Sequence, residues 1–268
     1  MKRIVYSIWD ELTEDHTSAD SYKQKQFKIY LDQLKAEHKI YADLCNADYQ
    51  VFSIGPSRYQ DIQFAKLHKL VELANEYDEI LYLDMDVIPN TNRIIFNEFD
   101  LSNLSIHMRP PPWIPSTKEL NKMFANTAHE FSYMNSWLKM LIKKSMLLVD
   151  DIAGENTIAN TAVICSNSEA IKKMELLQKL EEADKVYNEA LEDNFHPKKV
   201  TDAWTRNNEV FISYIIEKHN IKYNEIGSQW NYILDNKVTI YTPAGYFIHQ
   251  VNKDFQVTLD EVQKYRSL

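Results

Sequence analysis

Four glycines in 268 residues, Gly55, Gly154, Gly227 and Gly245, are roughly a fifth of what ~7% average usage would supply. No two are spaced to form G-x-G-x-x-G or G-x-x-x-x-G-K-(S/T), which excludes a dinucleotide fingerprint and a Walker loop. The two cysteines, Cys45 and Cys165, belong to no C-x-x-C or Cys/His cluster, which excludes a disulfide framework and a structural zinc site and makes reducing cytoplasm the expected location. Basic charge is short as well. Thirty Lys and Arg stand against 39 Asp and Glu, a net −9, so a nucleic-acid partner is not expected. No apolar run approaches the ~18 residues of a spanning helix, and Asp10 and Glu11 end the first apolar run too early for a signal peptide.

The remaining composition, 44% hydrophobic and 26% charged, is that of a folded globular chain. Arg3 to Trp9 reads as a strand, and Phe27, Tyr30, Leu31 and Leu34 fall at helical spacing. Tyr49 to Ile54 reads as a strand ending at the Gly55-Pro56-Ser57 turn. In the next helix Phe64, Leu67, Leu70, Val71 and Ala74 share a face, with Lys66, Lys69 and Glu72 outside it. Glu79 to Leu83 then forms a buried strand. This alternation predicts an α/β sheet with parallel crossovers.

Further on, the pattern gives a short strand at Ile106 to Met108, a stiff extended Pro110 to Trp113, a helix over Lys118 to Val149, and a strand at Asn160 to Cys165. Ser168 to Asp193 reads as one long charged surface helix. A helix near Asn208 to Glu217 and strands near Lys237 to Tyr241 and Tyr246 to His249 complete the chain. With no repeat or linker, one domain over residues 1–268 is expected.

Asp84 and Asp86 follow the Glu79 to Leu83 strand at the carboxyl edge of the sheet, where open α/β folds bind ligands. Carboxylates at i and i+2 around a turn both reach one hard cation, and oxygen donors suit Mg²⁺ or Mn²⁺. Such a cation would let an acidic protein take an anionic substrate. The alternative is a pair of solvated loop acids.

The run Tyr77 through Asp84-Met85-Asp86-Val87 resembles the strand and D-x-D of nucleotide-sugar glycosyltransferases of the A fold type, especially the glycogenin and lipopolysaccharide galactosyltransferase-like group. Asn160-Thr161-Ala162-Val163 is similar to that family's N-(A/S/T)-G-V, with Ala162 in place of Gly. His249-Gln250-Val251-Asn252-Lys253 resembles its H-x-x-G-x-x-K in part, with Asn252 for Gly and Lys253 two positions early. Ser228-Gln229-Trp230-Asn231 resembles its aromatic-Asn segment.

The resemblance implies a single Rossmann-like domain with a mostly parallel mixed sheet flanked by helices, and a variable acceptor-side segment at about 110–150 that includes Trp113. It implies a nucleoside-diphosphate-sugar donor and a glycan, lipid-linked or protein acceptor. Asp84, Asp86 and His249 would hold Mn²⁺ or Mg²⁺, with Lys253 and Lys66 on phosphate oxygens. Trp9, Asp10 and Arg58 would receive the nucleoside, and Asn160, Trp230 and Asn231 would shape the sugar pocket. Glu209 would act as base in an inverting enzyme, or steady the sugar in a retaining one. The bland readings are a helix-start acid for Glu209, a core residue for Trp230 and a solvated lysine for Lys66.

Two rivals remain. A haloacid-dehalogenase-type phosphohydrolase would use Asp84 in Asp-x-Asp-x-(Thr/Val), although Ile88 breaks the last position. Its later acidic pair would be Asp150-Asp151. The second rival is a nucleotide-sugar-binding module without turnover.

Overall fold

The computed structural model describes residues 1–11, 18–55, 58–109, 135–193, 196, 198–202, 204–234 and 245–266. In chain order its elements begin β1 (Arg3–Ile8), α1 (Ser18–Leu44), β2 (Asp48–Phe52), α2 (Tyr59–Leu73), β3 (Glu79–Leu83), β4 (Val87–Pro89) and β5 (Leu104–Arg109). There follow α3 (Asn135–Val149), β6 (Ile158–Asn167), α4 (Ser168–Met174), α5 (Leu176–Glu192), α6 (Lys198–Thr201) and α7 (Asn208–Lys218). The chain ends with β7 (Tyr223–Glu225), β8 (Tyr232–Leu234), β9 (Phe247–Gln250) and α8 (Phe255–Arg266). None of the described helices is long and apolar enough to cross a membrane.

The chain divides into two compact units. A sheet unit comprises Met1–His107, Thr161–Met174 and Tyr223–Leu268, and a helical unit comprises Met108–Asn160 and Glu175–Lys222. The main sheet has six strands in the order β2-β1-β3-β6-β5-β7. Strand β1 runs parallel to β2 and β3, β7 runs parallel to β5, and β6 is antiparallel to β3. The architecture is thus α/β, as the alternating pattern implied, with the mixed sheet that the resemblance implied. All five residues of β3 are buried, which is why it reads as a continuous apolar run. A second sheet, β4-β9-β8, pairs β9 antiparallel with β4 and parallel with β8.

One side of the main sheet carries Val5, Leu81, Leu83, Val163 and Cys165 in a core with Tyr41, Phe96, Trp230 and Phe247. A smaller cluster joins Leu34, Met85, Ile88 and Ile248 to Phe255, Leu259 and Val262 of α8. Burying these side chains contributes on the order of 1.5–3 kcal/mol each.

The long helix expected over Ser168 to Asp193 is two helices. Glu175 breaks it in a left-handed conformation, φ 51°. Met174 before the break and Leu176 after it are both buried. The break is also where the sheet unit gives way to the helical unit. In the latter, α3, α5 and α7 pack on one another, and α5 buries Leu176, Leu180, Ala183, Val186, Tyr187 and Ala190 rather than lying free on the surface. The expected strand at Lys237 to Tyr241, and Pro110 to Trp113 with the first part of the helix drawn from Lys118, lie outside the described residues.

Candidate metal and phosphate site

Strand β3 hands the chain to a turn in which the Val87 amide donates to the Asp84 carbonyl at 2.9 Å. The Asp84 amide meanwhile donates to the Ala162 carbonyl of β6 at 2.8 Å. Asp84 is therefore fixed at the sheet's edge, and Asp86 begins the connection into β4. The register of the second sheet supplies the third group. Val87 pairs with His249, and the Gln250 amide donates to the Asp86 carbonyl at 2.9 Å. A slip of one residue would bring Ile248 there instead. One ligand atom each from Asp84, Asp86 and His249 lies within 4.8 Å of the others.

Each of these side chains is braced from behind. The Tyr82 hydroxyl donates to Asp84 Oδ1, and Lys66 Nζ lies 3.1 Å from the same oxygen. Lys66 also donates to the Thr161 carbonyl at 3.0 Å and stands 4.9 Å from the centre of the Tyr82 ring. It is 4% exposed, so the solvated reading of this lysine is wrong. Its stem starts from the polar side of α2, but its ammonium reaches the end of β3. Asp84 raises the Tyr82 hydroxyl's pKa further after burial has already done so, and Tyr82 remains a donor.

On the other carboxylate, Asp86 Oδ2 accepts from Lys253 and lies 3.4 Å from His249 Nε2. Burial works to raise the Asp86 carboxyl, but the Lys253 ammonium bonded to it and the neighbouring His249 hold it far below the ordinary carboxylate range. His249 Nδ1 faces Asn231 Oδ1 at 3.2 Å. An amide oxygen only accepts, so Nδ1 carries the proton and Nε2 is the nitrogen turned to Asp86. Lys253 sits at φ 66°, with its amide bonded to the Gln250 carbonyl at 3.1 Å. The Gln250 side chain steadies this turn through the Asp254 carbonyl at 3.2 Å and the Thr258 hydroxyl at 3.0 Å.

At the ends of β1 and β2 an open cleft of about 360 Å³ is lined by Trp9, Asp10, Lys35, Val51 and Ser53 among others. Trp9 packs on Phe27 with ring centroids 4.4 Å apart. The Asp10 carboxylate accepts from the Ser53 hydroxyl and from the Ile54 and Gly55 amides at 2.7 and 3.2 Å. Its main partners thus belong to the loop after β2. Arg58, at the start of α2, forks onto Asp61 at 3.0 Å.

Of the remaining expected residues, Trp230 is a core side chain, 3% exposed among Phe99, Tyr246 and Phe247. Asn231 stands behind His249. Asn160 lies buried on β6, and Glu209 lies in the first turn of α7, paired with Lys139. Those two belong to the helical unit. So does Asp150, which bonds Tyr214 at 2.6 Å and Lys218 at 2.8 Å.

Sequence reasoning missed Tyr82, Gln250 and Thr258. It also missed His38 of α1, whose Nε2 lies 2.6 Å from the Val87 carbonyl and whose Nδ1 lies 3.0 Å from Ser7 Oγ. Tyr82 is two residues from Asp84 and Gln250 eight from Thr258, so these contacts were local and overlooked, whereas His38 acts through partners 31 and 49 positions away that no local pattern marks.

No family model matches the sequence, and no curated protein matches it. Among solved structures the chain is similar to a glycosyltransferase involved in the glycosylation of the major capsid of PBCV-1, with 13% identity, 95% of this chain and 100% of that chain covered, and a TM-score of 0.48. It is also similar to an active-site mutant of LgtC, with 12% identity, 93% and 87% covered, and a TM-score of 0.48. The galactosyltransferase LgtC in complex with donor and acceptor sugar analogs gives 12% identity, the same coverage and a TM-score of 0.44. Likeness this distant decides nothing about chemistry, which rests on the residues themselves.

Proposed function

We propose that the chain is a metal-dependent glycosyltransferase that moves a sugar from a nucleoside diphosphate to an acceptor hydroxyl. The observation that carries this reading is the convergence of Asp84, Asp86 and His249 at the end of β3, with an ammonium group on each carboxylate. Two carboxylates and one imidazole fit a divalent ion that accepts oxygen and nitrogen donors, Mn²⁺ or Mg²⁺. Such an ion stabilises the charge left on a departing diphosphate.

The chain's own residues do the rest. Lys66 and Lys253 meet diphosphate oxygens, and the cleft beside Trp9 takes the nucleoside. Asp10 contributes by holding the loop of residues 53–55 that borders the cleft. Arg58 and Asn160 remain candidates for the nucleoside and the sugar. Glu209 is the candidate base on the acceptor side.

Thermal unfolding tests the reading. One of UDP, GDP or CDP should raise the melting temperature only when Mn²⁺ or Mg²⁺ is present, since a ligand at about 100 times its Kd adds roughly 2.7 kcal/mol to the native state. No shift with any combination, together with phosphate release from an aryl phosphate, would replace the transferase with a phosphohydrolase. Glu209→Gln should keep metal-linked nucleotide binding and lose transfer.

A further inference from the structure

The two carboxylates of the site each hold a lysine, and the two lysines are held differently. Lys66 is locked. Its ammonium is bonded to Asp84 and the Thr161 carbonyl, lies against the Tyr82 ring, and belongs to a side chain 5% exposed. The backbone carbonyl of Lys66 is itself tied to the Tyr6 hydroxyl at 2.6 Å. Leaving Asp84 would strand a buried ammonium, which is costly.

Lys253 is held by less. Its hydrogen-bond partner is Asp86, and beyond that its ammonium stands 5.5 Å from the centre of the Phe27 ring. Its side chain is 13% exposed, on a long flexible stem that leaves a turn in the left-handed region. With both lysines in place, two negative charges face two positive ones, and the donor set is neutral overall. A divalent cation arriving alone gains little net attraction there and has to evict an ammonium from Asp86.

We propose that Lys253 is a built-in cation that occupies Asp86 until a divalent ion arrives with a diphosphate, and then passes to the phosphate oxygens. Metal and diphosphate thereby bind as a coupled pair, and each raises the affinity for the other by the same factor. The inference rests on the metal and nucleotide reading of this site. It adds an order to that reading: the metal is weak alone because the protein already supplies a competitor.

The test is Mn²⁺ binding, followed by the paramagnetic resonance of free Mn²⁺, for wild type, Lys253→Met and Lys253→Arg, each alone and with UDP. Lys253→Met should bind Mn²⁺ alone more tightly, by on the order of tenfold, within the range that outer partners of a metal site produce. UDP should then strengthen Mn²⁺ binding by a smaller factor in Lys253→Met than in wild type. Lys253→Arg keeps the charge and should bind Mn²⁺ alone as weakly as wild type. If Lys253→Met binds Mn²⁺ alone no tighter than wild type, while wild type binds it with UDP, the competitor role is overturned and the metal site stands. If none of the three proteins binds Mn²⁺ under either condition, the competitor role and the metal site both fall.

Discussion

In the helical unit, Lys143 is fully buried and meets Glu217 together with the Glu155 and Thr157 carbonyls at 2.8 and 2.7 Å. Lys218 meets Asp150 and Glu182 at 2.8 and 2.7 Å. Each of these ammonium groups has its carboxylate, and nothing further is needed to keep the charges buried. In the sheet unit the same vocabulary is used otherwise. Asp84 and Asp86, like in charge, are drawn together with His249, and two lysines are required to offset them. Opposite charges set apart from like ones make a structural clip, whereas like donors gathered at one point leave work for a ligand.

Removing the gathered donors should have the largest effect. Asp84→Asn, Asp86→Asn is expected to abolish Mn²⁺-linked nucleotide binding, a loss above the ~10- to 100-fold that outer partners of a metal site cost. Because the change also leaves the buried Lys66 ammonium and Lys253 without their carboxylates, the melting temperature should fall as well. Calorimetric titration with Mn²⁺ and nucleotide, beside a melting curve, reads both. Retained binding in this variant would erase the distinction between the two units.

In the helical unit stability alone is expected to change. Lys143→Met leaves Glu217 buried without its ammonium and two carbonyls without their donor, which should cost about 3–5 kcal/mol of stability. A lower urea midpoint with unchanged Mn²⁺ affinity is the expected result. An altered metal affinity in a protein that still folds would mean the clip is not merely structural.

How much of this was legible depends on how far apart the partners lie. Strand β3 and the acids after it could be read because Glu79 to Leu83 is buried throughout and so appears as an unbroken apolar run. The fold class followed from the same alternation of short apolar runs and helical spacing. Lys66 was misplaced because helical periodicity scores where a side chain starts, whereas a lysine's charge acts several ångströms further on. Asn231 was expected at the sugar pocket, and its place behind His249 was not legible, since β8 and β9 are joined by a register that local pattern does not carry. The break at Glu175 was invisible for another reason: both helices are charged and amphipathic, and a left-handed residue between them leaves no mark in the pattern.

His38 offers a smaller and pH-dependent comparison, being a buried titratable group bonded to the Ser7 hydroxyl and the Val87 carbonyl rather than to a carboxylate. Burial pushes its imidazole from 6.5 down to about 4, against the Val87 carbonyl bond and the Asp86 and Asp84 charges, which act to raise it. The unfolded chain therefore binds a proton between pH 6.5 and 4 that the folded one does not. Its neutral form contributes stability in full above pH 6.5, and that stability is lost as the pH falls toward 4, roughly 3 kcal/mol in all. Urea unfolding at pH 7 and pH 4.5 should show this decline in wild type and a shallower one in His38→Gln, which keeps one donor and one acceptor without the titration.

Asn231 gives the mildest and most selective prediction, because it is neutral and 1% exposed and its side-chain oxygen faces a ring nitrogen of His249. Asn231→Ala removes the acceptor that keeps the proton on His249 Nδ1. The imidazole is then free to present a protonated Nε2 toward Asp86, and a protonated nitrogen does not ligate a metal. Mn²⁺ affinity in the presence of nucleotide should fall by about 10- to 100-fold. Asn231→Asp restores an acceptor and should recover most of that loss, which a simple packing defect would not allow. If alanine and aspartate weaken Mn²⁺ binding equally, Asn231 belongs with the structural partners of the helical unit and His249 is oriented by the β4–β9 register alone.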